Sequence, residues 1–279
     1  MREVKGVLEC VVNVSEGRDE VVLDGLRSAA GPSMVDMHAD RHHNRVVLTL
    51  VGTDVESAAR VVAGVGVHTI DLRSHGGVHP RLGAVDVVPF VPLDGSTMAD
   101  AMGARDRFAT WAANELGVPC FLYGPERTLP DVRREAFRSL APDTGAPAPH
   151  PTAGAICVGA RPVLVAYNLW LVPGTDASVA SRIAAAVRGP AVRALGLDLE
   201  GVAQVSLNLL AWPEVGPAEA YDAVAARAED AGTSIGHAEL VGLLPAAALD
   251  AIPAERWSEL GLSRRRTIEE AVRRAGRGG

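Results

Sequence analysis

The sequence predicts an α/β or α+β protein with two mixed α/β-sandwich subdomains, and two observations support this prediction. Short apolar runs of strand type alternate with longer stretches whose apolar residues recur at helical spacing, as in sheets covered by helices. After a stretch rich in Pro, Ala and Gly at 140–154, a smaller β-α-β-α pattern follows. We therefore predict subdomains at 1–160 and 161–279, with the 140–154 stretch in the boundary region.

The composition excludes several classes of protein. Hydrophobic residues make up 48 % and charged residues 22 % of the 279 positions, as in soluble globular proteins, and the net charge of -7 argues against nucleic-acid binding. No apolar run approaches the roughly 18 residues of a membrane span, and the N-terminus has no signal-peptide pattern. Cys10, Cys120 and Cys157 lie far apart within apolar runs, which predicts buried thiols in a reducing compartment. We expect a cytoplasmic protein without membrane or nucleic-acid partners.

The first half of the chain contains five predicted strands and three predicted helices. Strands are expected at 8–12, 34–37, 46–52, 85–91 and 118–123. Helices are expected at 19–30, 54–70 and 96–116. Asp19 and Asp54 are candidate N-caps, Ser96 is expected to open the third helix, and Gly117 is expected to end it.

The second half repeats the alternation on a smaller scale. Strands are expected at 155–158, 162–171, 202–210 and 239–243, and helices at 178–195 and 217–231. The tail contains two clusters of Arg, at 264–266 and 273–274, which predict a charged C-terminal helix with a solvated face.

The most informative stretch lies between a predicted helix and a predicted strand, at 74–90. Gly76 and Gly77 permit close approach of the backbone to a ligand, and Pro80 favours an extended conformation at His79. An imidazole can accept and return a proton near neutral pH, and Arg81 adds a cation suited to carboxylates. The pattern is typical of a catalytic loop, and the alternative is a helix-terminating turn whose histidines are merely polar.

A metal site is a weaker hypothesis. His38, His42 and His43 lie near Asp36 and Asp40, but no pair stands four apart on a predicted helix, so a polar pocket lining is favoured and no metal is expected. The chain has no phosphate-binding loop and no GxSxG elbow. An acid/base site built on histidine is therefore the best chemical hypothesis from the residues, and it names no substrate.

The chain resembles the glutamate formiminotransferases in several ordered motifs spread over 7–250. Residues 9–17 are similar to the family's ECVPNFSEG segment, 36–45 to DxHxDxxHNR and 79–84 to HPRxGA. Further matches are HPTAGA at 150–155 with GAR at 159–161, YNL at 167–169, QVSLNL at 204–209 and LVGLLP at 240–245.

The resemblance implies two α/β subdomains with a ligand groove between them, often in a homodimer. It implies transfer of a formimino group from N-formimino-L-glutamate to tetrahydrofolate, a cosubstrate, within histidine degradation, with His79 as the catalytic acid/base. Arg45 and Arg81 are candidates for binding substrate carboxylates. Asn13, Asn168 and Asn208 are candidates for polar positioning, the alternative being that they satisfy backbone groups. The folate-contacting loop maps to Gly145, Ala146, Pro147, Ala148, Pro149, His150, Pro151, Thr152, Ala153 and Gly154.

Three departures from the family pattern keep other functions open. Val78 replaces a Glu before the catalytic His, Thr144 stands where the family has the Phe of PDFG, and 188–191 replace a Ser/Gly-rich turn. One alternative is a diverged member that binds an anionic small molecule, or acts on a different amidine without folate. A metal-dependent hydrolase is a weaker alternative. No fused cyclodeaminase domain is expected.

Overall fold

A computed structural model describes residues 6–77, 81–93 and 95–276, which form two compact units divided between Pro162 and Val163. The division lies two residues after the position expected from the sequence. The stretch at 140–154 was expected in the boundary region, within the predicted first subdomain 1–160. It belongs to the first unit, because Thr144 forms a β-bridge with Cys120 and Gly154 forms one with Gly83.

The first unit contains a six-stranded mixed sheet. Its strands are β1 (Leu8–Val14), β2 (Met34–Asp40), β3 (Arg45–Gly52), β4 (Val85–Pro92), β5 (Cys120–Tyr123) and β6 (Ile156–Ala160). Their order is β2-β3-β1-β4-β6-β5. The central strand β1 is antiparallel to β3 and β4, whereas β6 is parallel to both β4 and β5. All five strands predicted in the first half are present.

Helices cover this sheet unequally. They are α1 (Glu20–Ala30), α2 (Val55–Thr69), α3 (Met98–Glu115) and α4 (Leu129–Glu135). Alternate residues of β1, such as Val12 and Val14, pack in the main core with apolar residues of the first three helices. A smaller core joins Val132 of α4 to Phe121 and Cys157, so that α4 covers the opposite face near β5 and β6.

Helix capping differs in part from the prediction. Asp19 is the N-cap of α1, because its Oδ1 accepts from the backbone N of Val21 at 2.9 Å. Asp54 occupies the N-cap position of α2, but its carboxylate accepts from the Ser57 hydroxyl at 2.8 Å and caps no backbone N–H. Ser96 does not cap α3, since its hydroxyl donates to Val7 O, and Thr97 forms a capping box instead.

The second unit contains a four-stranded antiparallel sheet of order β10-β7-β9-β8. Its strands are β7 (Val165–Leu171), β8 (Val192–Leu199), β9 (Val202–Leu209) and β10 (Ile235–Val241). Its helices are α5 (Ala177–Val187), α6 (Pro217–Asp230), α7 (Ala246–Asp250) and α8 (Ile268–Ala275). Apolar residues of α5 and α6 pack in one core with alternate residues of the sheet.

Two predictions for the second unit were wrong. The helix expected at 178–195 ends at Val187, and residues from Val192 on form a strand paired with β9. Gly189 and Pro190 interrupt the helical run between them, because Pro removes a backbone N–H and both residues disfavour helix interiors. The last strand lies at Ile235–Val241 and not at 239–243.

Two further observations on the described residues concern the cysteines and the membrane-spanning potential of the helices. Cys10, Cys120 and Cys157 are buried free thiols, as predicted. Among the described helices, none has the length and apolar character needed to cross a bilayer.

The two N-cap aspartates provide a matched test of capping. Asp19→Ala should lower the free energy of unfolding by about 1 kcal/mol, because α1 loses a side-chain acceptor for its first N–H groups. Asp54→Ala should cost less than about 0.5 kcal/mol, because no backbone N–H of α2 loses a partner. Urea unfolding of both variants measures the difference, and equal losses would contradict the assignment.

Candidate active site

Loops from distant parts of the sequence meet at one edge of the six-stranded sheet. Because β1 is antiparallel to β3 and β4, and β6 is parallel to β4, the end of β1 and the starts of the other three strands share this edge. The loops that meet there are 15–19, 41–44, the described part of 70–84, and 140–155. The described residues that follow β1 and precede β3, β4 and β6 therefore bring parts of the motifs at 9–17, 36–45, 79–84 and 150–155 to the same edge.

Asn44 links three of these loops. It is buried, and its Oδ1 accepts from the backbone N of Gly17 at 2.9 Å, while its Nδ2 donates to the backbone O of Gly76 at 2.9 Å. Its φ of 47° lies in the left-handed region, which Asn tolerates better than most residues. The sequence analysis missed this role, although Asn44 stands beside Arg45 within a recognised motif.

The described part of the loop at 70–84, which we call the central loop, is joined to the loop before β6 by backbone hydrogen bonds. Leu72 N donates to Thr152 O at 2.8 Å and Ala84 N donates to Ala153 O at 2.9 Å. Ala155 N donates to Leu82 O at 3.1 Å. The described ends of the central loop are therefore held against the end of the predicted folate loop.

The predicted folate loop has two parts with different surroundings. Residues 145–149 are exposed, whereas residues 150–154 are mostly half-buried or buried against the central loop. The Nδ1 atom of His150 accepts from Ala153 N at 3.0 Å and Thr152 N at 3.3 Å. Because Nδ1 acts as an acceptor, the ring proton of the neutral imidazole lies on Nε2, and His150 stabilises the turn.

A buried carboxylate lies among arginines at this edge. Asp86, near the start of β4, is 2 % exposed, and its Oδ1 accepts from the backbone N of Leu82 at 2.6 Å. Its Oδ2 accepts from the Arg133 guanidinium at 2.5 Å. Arg45 and Arg81 also interact electrostatically with Asp86. We call Arg45, Arg81 and Arg133 with Asp86 the cationic cluster.

Charge is unbalanced in the cationic cluster. Burial, together with repulsion from Arg133, lowers the pKa of Arg45 to about 10, although Asp86 and Asp40 oppose the shift. Burial likewise lowers the pKa of Arg81 against the attraction of Asp86. For Arg133, burial also opposes the charge, but the Asp86 carboxylate outweighs it and raises the pKa. Three guanidinium groups thus lie close to the Asp86 carboxylate, and this concentration of positive charge suits the edge to anionic ligands.

The sequence analysis missed Asp86 and Arg133. Asp86 is the single charged residue in the apolar run at 85–92, which was an available signal. Nothing in the sequence connects it with Arg133, 47 positions away, because only the packing of α4 brings the two together.

Two histidines of this edge, His43 and His75, are hydrogen-bonded to charged side chains. His43 Nδ1 lies 2.6 Å from Asp40 Oδ2, and although burial raises the pKa of Asp40, its hydrogen bonds with His43 hold it well below the usual range. The Arg81 guanidinium donates to His75 Nδ1. Burial and then Arg81 lower the pKa of His75, so its ring is neutral at pH 7.

The sequence analysis raised two hypotheses about histidine: a catalytic role for His79 and a metal site. His79, with Val78 and Pro80, lies outside the described residues, and its catalytic role stays a prediction. Among residues 6–77, 81–93 and 95–276, no group of three or more His, Cys, Asp or Glu is arranged to hold a metal ion. The Asp40 carboxylate instead binds His43.

The three candidate asparagines have separate surroundings. In the first unit, the Asn13 amide donates to Val11 O at 2.8 Å, which satisfies a backbone group. In the second unit, Asn168 is buried on β7 and donates to Glu239 at 3.2 Å, while Asn208 is exposed near the end of β9. Their roles toward substrate stay predictions.

Comparisons with known proteins identify the family of the chain. The family described as formiminotransferase domain, N-terminal subdomain, matches residues 7–161. The chain is 36 % identical over 272 residues to a glutamate formimidoyltransferase of Streptococcus pyogenes serotype M1, covering 87 % of this chain and 90 % of that protein. It is 32 % identical over 273 residues to a protein of the same name from Thermoplasma acidophilum, covering 87 % and 89 %.

A longer relative matches over part of its length. The chain is 34 % identical over 277 residues to the formimidoyltransferase-cyclodeaminase of Sus scrofa. The match covers 87 % of this chain, which spans about half (51 %) of that protein.

The contact between the central loop and the loop before β6 depends on Gly83. A Cβ added there would lie 2.1 Å from Ala155 O and 2.7 Å from Val85 O, both backbone atoms of the sheet edge. Gly83→Ala should therefore lower the free energy of unfolding by about 2 kcal/mol. Gly76→Ala is the control, because a Cβ there meets nothing within 4 Å, and its effect should stay within about 0.5 kcal/mol. Equal urea midpoints for the two variants would contradict this close approach.

Proposed function

Because this chain belongs to the glutamate formiminotransferase family and is a one-carbon transferase, we propose that it transfers a formimino group from N-formimino-L-glutamate to tetrahydrofolate. The observation that best supports the substrate class is the cationic cluster at the sheet edge. Its three guanidinium groups all interact with the buried carboxylate of Asp86, which concentrates positive charge at this edge.

The cationic cluster fits the charge of the donor substrate. N-formimino-L-glutamate carries two carboxylates at neutral pH, and a planar guanidinium binds a carboxylate through two parallel hydrogen bonds. Arg45 lies at the start of β3, so a rigid strand supports its side chain, whereas Arg81 lies in the loop before β4 and donates to His75. We assign these two arginines to the substrate carboxylates and Arg133 to the support of Asp86.

The reaction requires net transfer of one proton from the folate amine nitrogen to the nitrogen of the departing glutamate. An amine nitrogen of the folate attacks the amidine carbon, forming a new C–N bond, and the C–N bond to glutamate then breaks. The attacking nitrogen loses a proton and the departing nitrogen of glutamate gains one. A single imidazole can make both transfers, and we propose His79 for this role on the strength of the HPR motif. Val78 precedes His79 in the sequence, where the family has Glu, so no carboxylate is supplied from this position.

The folate is proposed to contact residues 145–154. The backbone bonds of Thr152 and Ala153 to the central loop support this, because they hold the end of this segment beside the loop that contains His79. The exposed part at 145–149 contains no aromatic residue, which favours the alternative of a different amidine substrate without folate. We further propose a cytoplasmic homodimer acting in histidine degradation, as the resemblance implies.

His79→Ala tests the chemical step apart from binding. The variant should lose at least about 100-fold in kcat, because the proton transfer loses its acid/base, while tetrahydrofolate still binds. Isothermal titration with tetrahydrofolate, with and without N-formimino-L-glutamate, measures binding for both proteins, and a formimino-transfer assay measures kcat. Retained turnover would refute the role of His79, and absence of folate binding by the natural protein would favour the alternative substrate.

Arg45→Met tests recognition of the substrate carboxylate. The KM for N-formimino-L-glutamate should rise about 10- to 100-fold, because a charge-assisted hydrogen bond is lost from a buried site. Arg41→Met is the matched control, since Arg41 lies in the same hairpin with an exposed side chain. Its kinetics should equal those of the natural protein. The same KM for both variants would show that Arg45 does not bind the donor.

A further inference from the structure

The sheet of the second unit has a polar face that the proposed proton transfer does not use. Ala203, Val205 and Leu207 of β9 point into the apolar core with α5 and α6. Because side chains alternate along a strand, Gln204 and the residues at 206 and 208 point to the opposite face. The register places Trp170 of β7 beside Gln204 on this face.

Gln204 is the unusual member of the polar face. Its side chain is fully buried, yet neither its Nε2 nor its Oε1 has a hydrogen-bond partner in the described part of the chain. Nearly all buried polar side-chain atoms in native proteins are paired, so two such atoms on one residue indicate a missing partner. An amide retained at this position is suited to a ligand that supplies a donor and an acceptor together.

Gln204 lies between Leu197 of β8 and Trp170 of β7, and Trp170 belongs to an aromatic and hydrogen-bonded group. The Trp170 indole lies nearly parallel to the His237 imidazole, at 13° and 5.4 Å between centroids. Trp170 Nε1 donates to Glu239 Oε2 at 3.1 Å, and Asn168 donates to the same oxygen at 3.2 Å. A planar ring therefore flanks Gln204, and its amide is left for another group.

Exposed residues surround the buried centre of the polar face. Gln204 and Asn168 are buried, whereas His237 and Asn208 are exposed and Leu195 is 49 % exposed. The register pairs Leu195 of β8 with Ser206 of β9. Asn208 lies two residues after Ser206, on the same face of β9. This arrangement is that of a binding surface with a buried polar centre and an accessible rim.

We propose that Gln204 binds the pteridine ring of the folate cosubstrate, an inference that rests on the proposed function. The oxo-pyrimidine edge of a pteridine presents an N–H beside a carbonyl oxygen, which complements the acceptor and donor of one primary amide. Gln and Asn bind the edge of adenine in the same bidentate manner. The formimino group is an amidinium at neutral pH, which has donors but no acceptor, and it lacks an extended plane to lie against Trp170.

The aromatic residue supports this assignment. The segment at 145–149 contains no aromatic residue to lie against a pteridine, and Trp170 supplies one on the polar face of the second unit. Stacking on an aromatic ring together with a paired hydrogen-bonding edge is a common way to bind a planar heterocycle.

Gln204→Met tests the proposal with a side chain of similar length and no hydrogen-bonding amide. The Kd for tetrahydrofolate, measured by isothermal titration, should rise about 10- to 100-fold, because the ring loses two hydrogen bonds in a buried site. The KM for tetrahydrofolate should rise in parallel, while the KM for N-formimino-L-glutamate stays unchanged. The melting temperature should not fall, because the variant removes two buried polar atoms that have no partner.

Thr49→Val is the matched control. Thr49 on β3 is 1 % exposed and its hydroxyl has no partner among the described residues, but it lies in the other sheet. This variant should leave both Kd and KM unchanged. An equal Kd for tetrahydrofolate in the natural protein and Gln204→Met would overturn the pteridine assignment, as would a rise confined to the KM for N-formimino-L-glutamate. No folate binding by the natural protein would refute the proposed function itself, and this assignment with it.

Discussion

The buried carboxylate of Asp86 organises the candidate site of the first unit. One oxygen accepts from the backbone N–H of Leu82, at the end of the central loop, and the other accepts from the Arg133 guanidinium of α4. Removing one partner of a buried ion pair costs about 3 to 5 kcal/mol, because the remaining charge is left without compensation. Asp86 therefore holds the end of the central loop and α4 at the same point. It also interacts electrostatically with Arg45 and Arg81.

Contacts made by Asn44 and Gly83 hold the loops of this edge close together. Asn44 uses both ends of its amide to join loops, and Gly83 approaches the backbone of residue 155 at a distance that leaves no room for a side chain. Positioning groups on rigid elements preserves the geometry that catalysis requires. Arg45, at the start of β3, is held on a rigid strand in the same way.

The two units offer different chemistry. The edge of the first sheet concentrates guanidinium groups, which suits carboxylates, whereas the polar face of the second sheet combines amides and stacked aromatic rings with the carboxylate of Glu239. A formimino donor is anionic and compact, while a pteridine is planar with a neutral hydrogen-bonding edge. The division of these properties between the units is consistent with a transferase that binds two unlike substrates.

The sequence by itself determined the fold class, most strands and the family. Short apolar runs located the five strands of the first half, because strands buried on both faces, such as β3 and β4, have apolar residues at consecutive positions. The ordered motifs identified the family, and with it His79, whose role rests on sequence alone. The sequence did not locate β8, because the residues from Val192 to Leu199 suit a helix as well as a strand until β9 pairs with them.

Only the tertiary structure decided which side chains meet. Asp86 and Arg133 are 47 positions apart, and no local pattern predicts that α4 packs where their charges pair. Gln204 stood within a recognised motif, but its importance depends on burial without a partner, which is a property of the folded chain. Local spacing determines the period of burial along one element, whereas electrostatic and hydrogen-bond partners come from elements that the fold brings together.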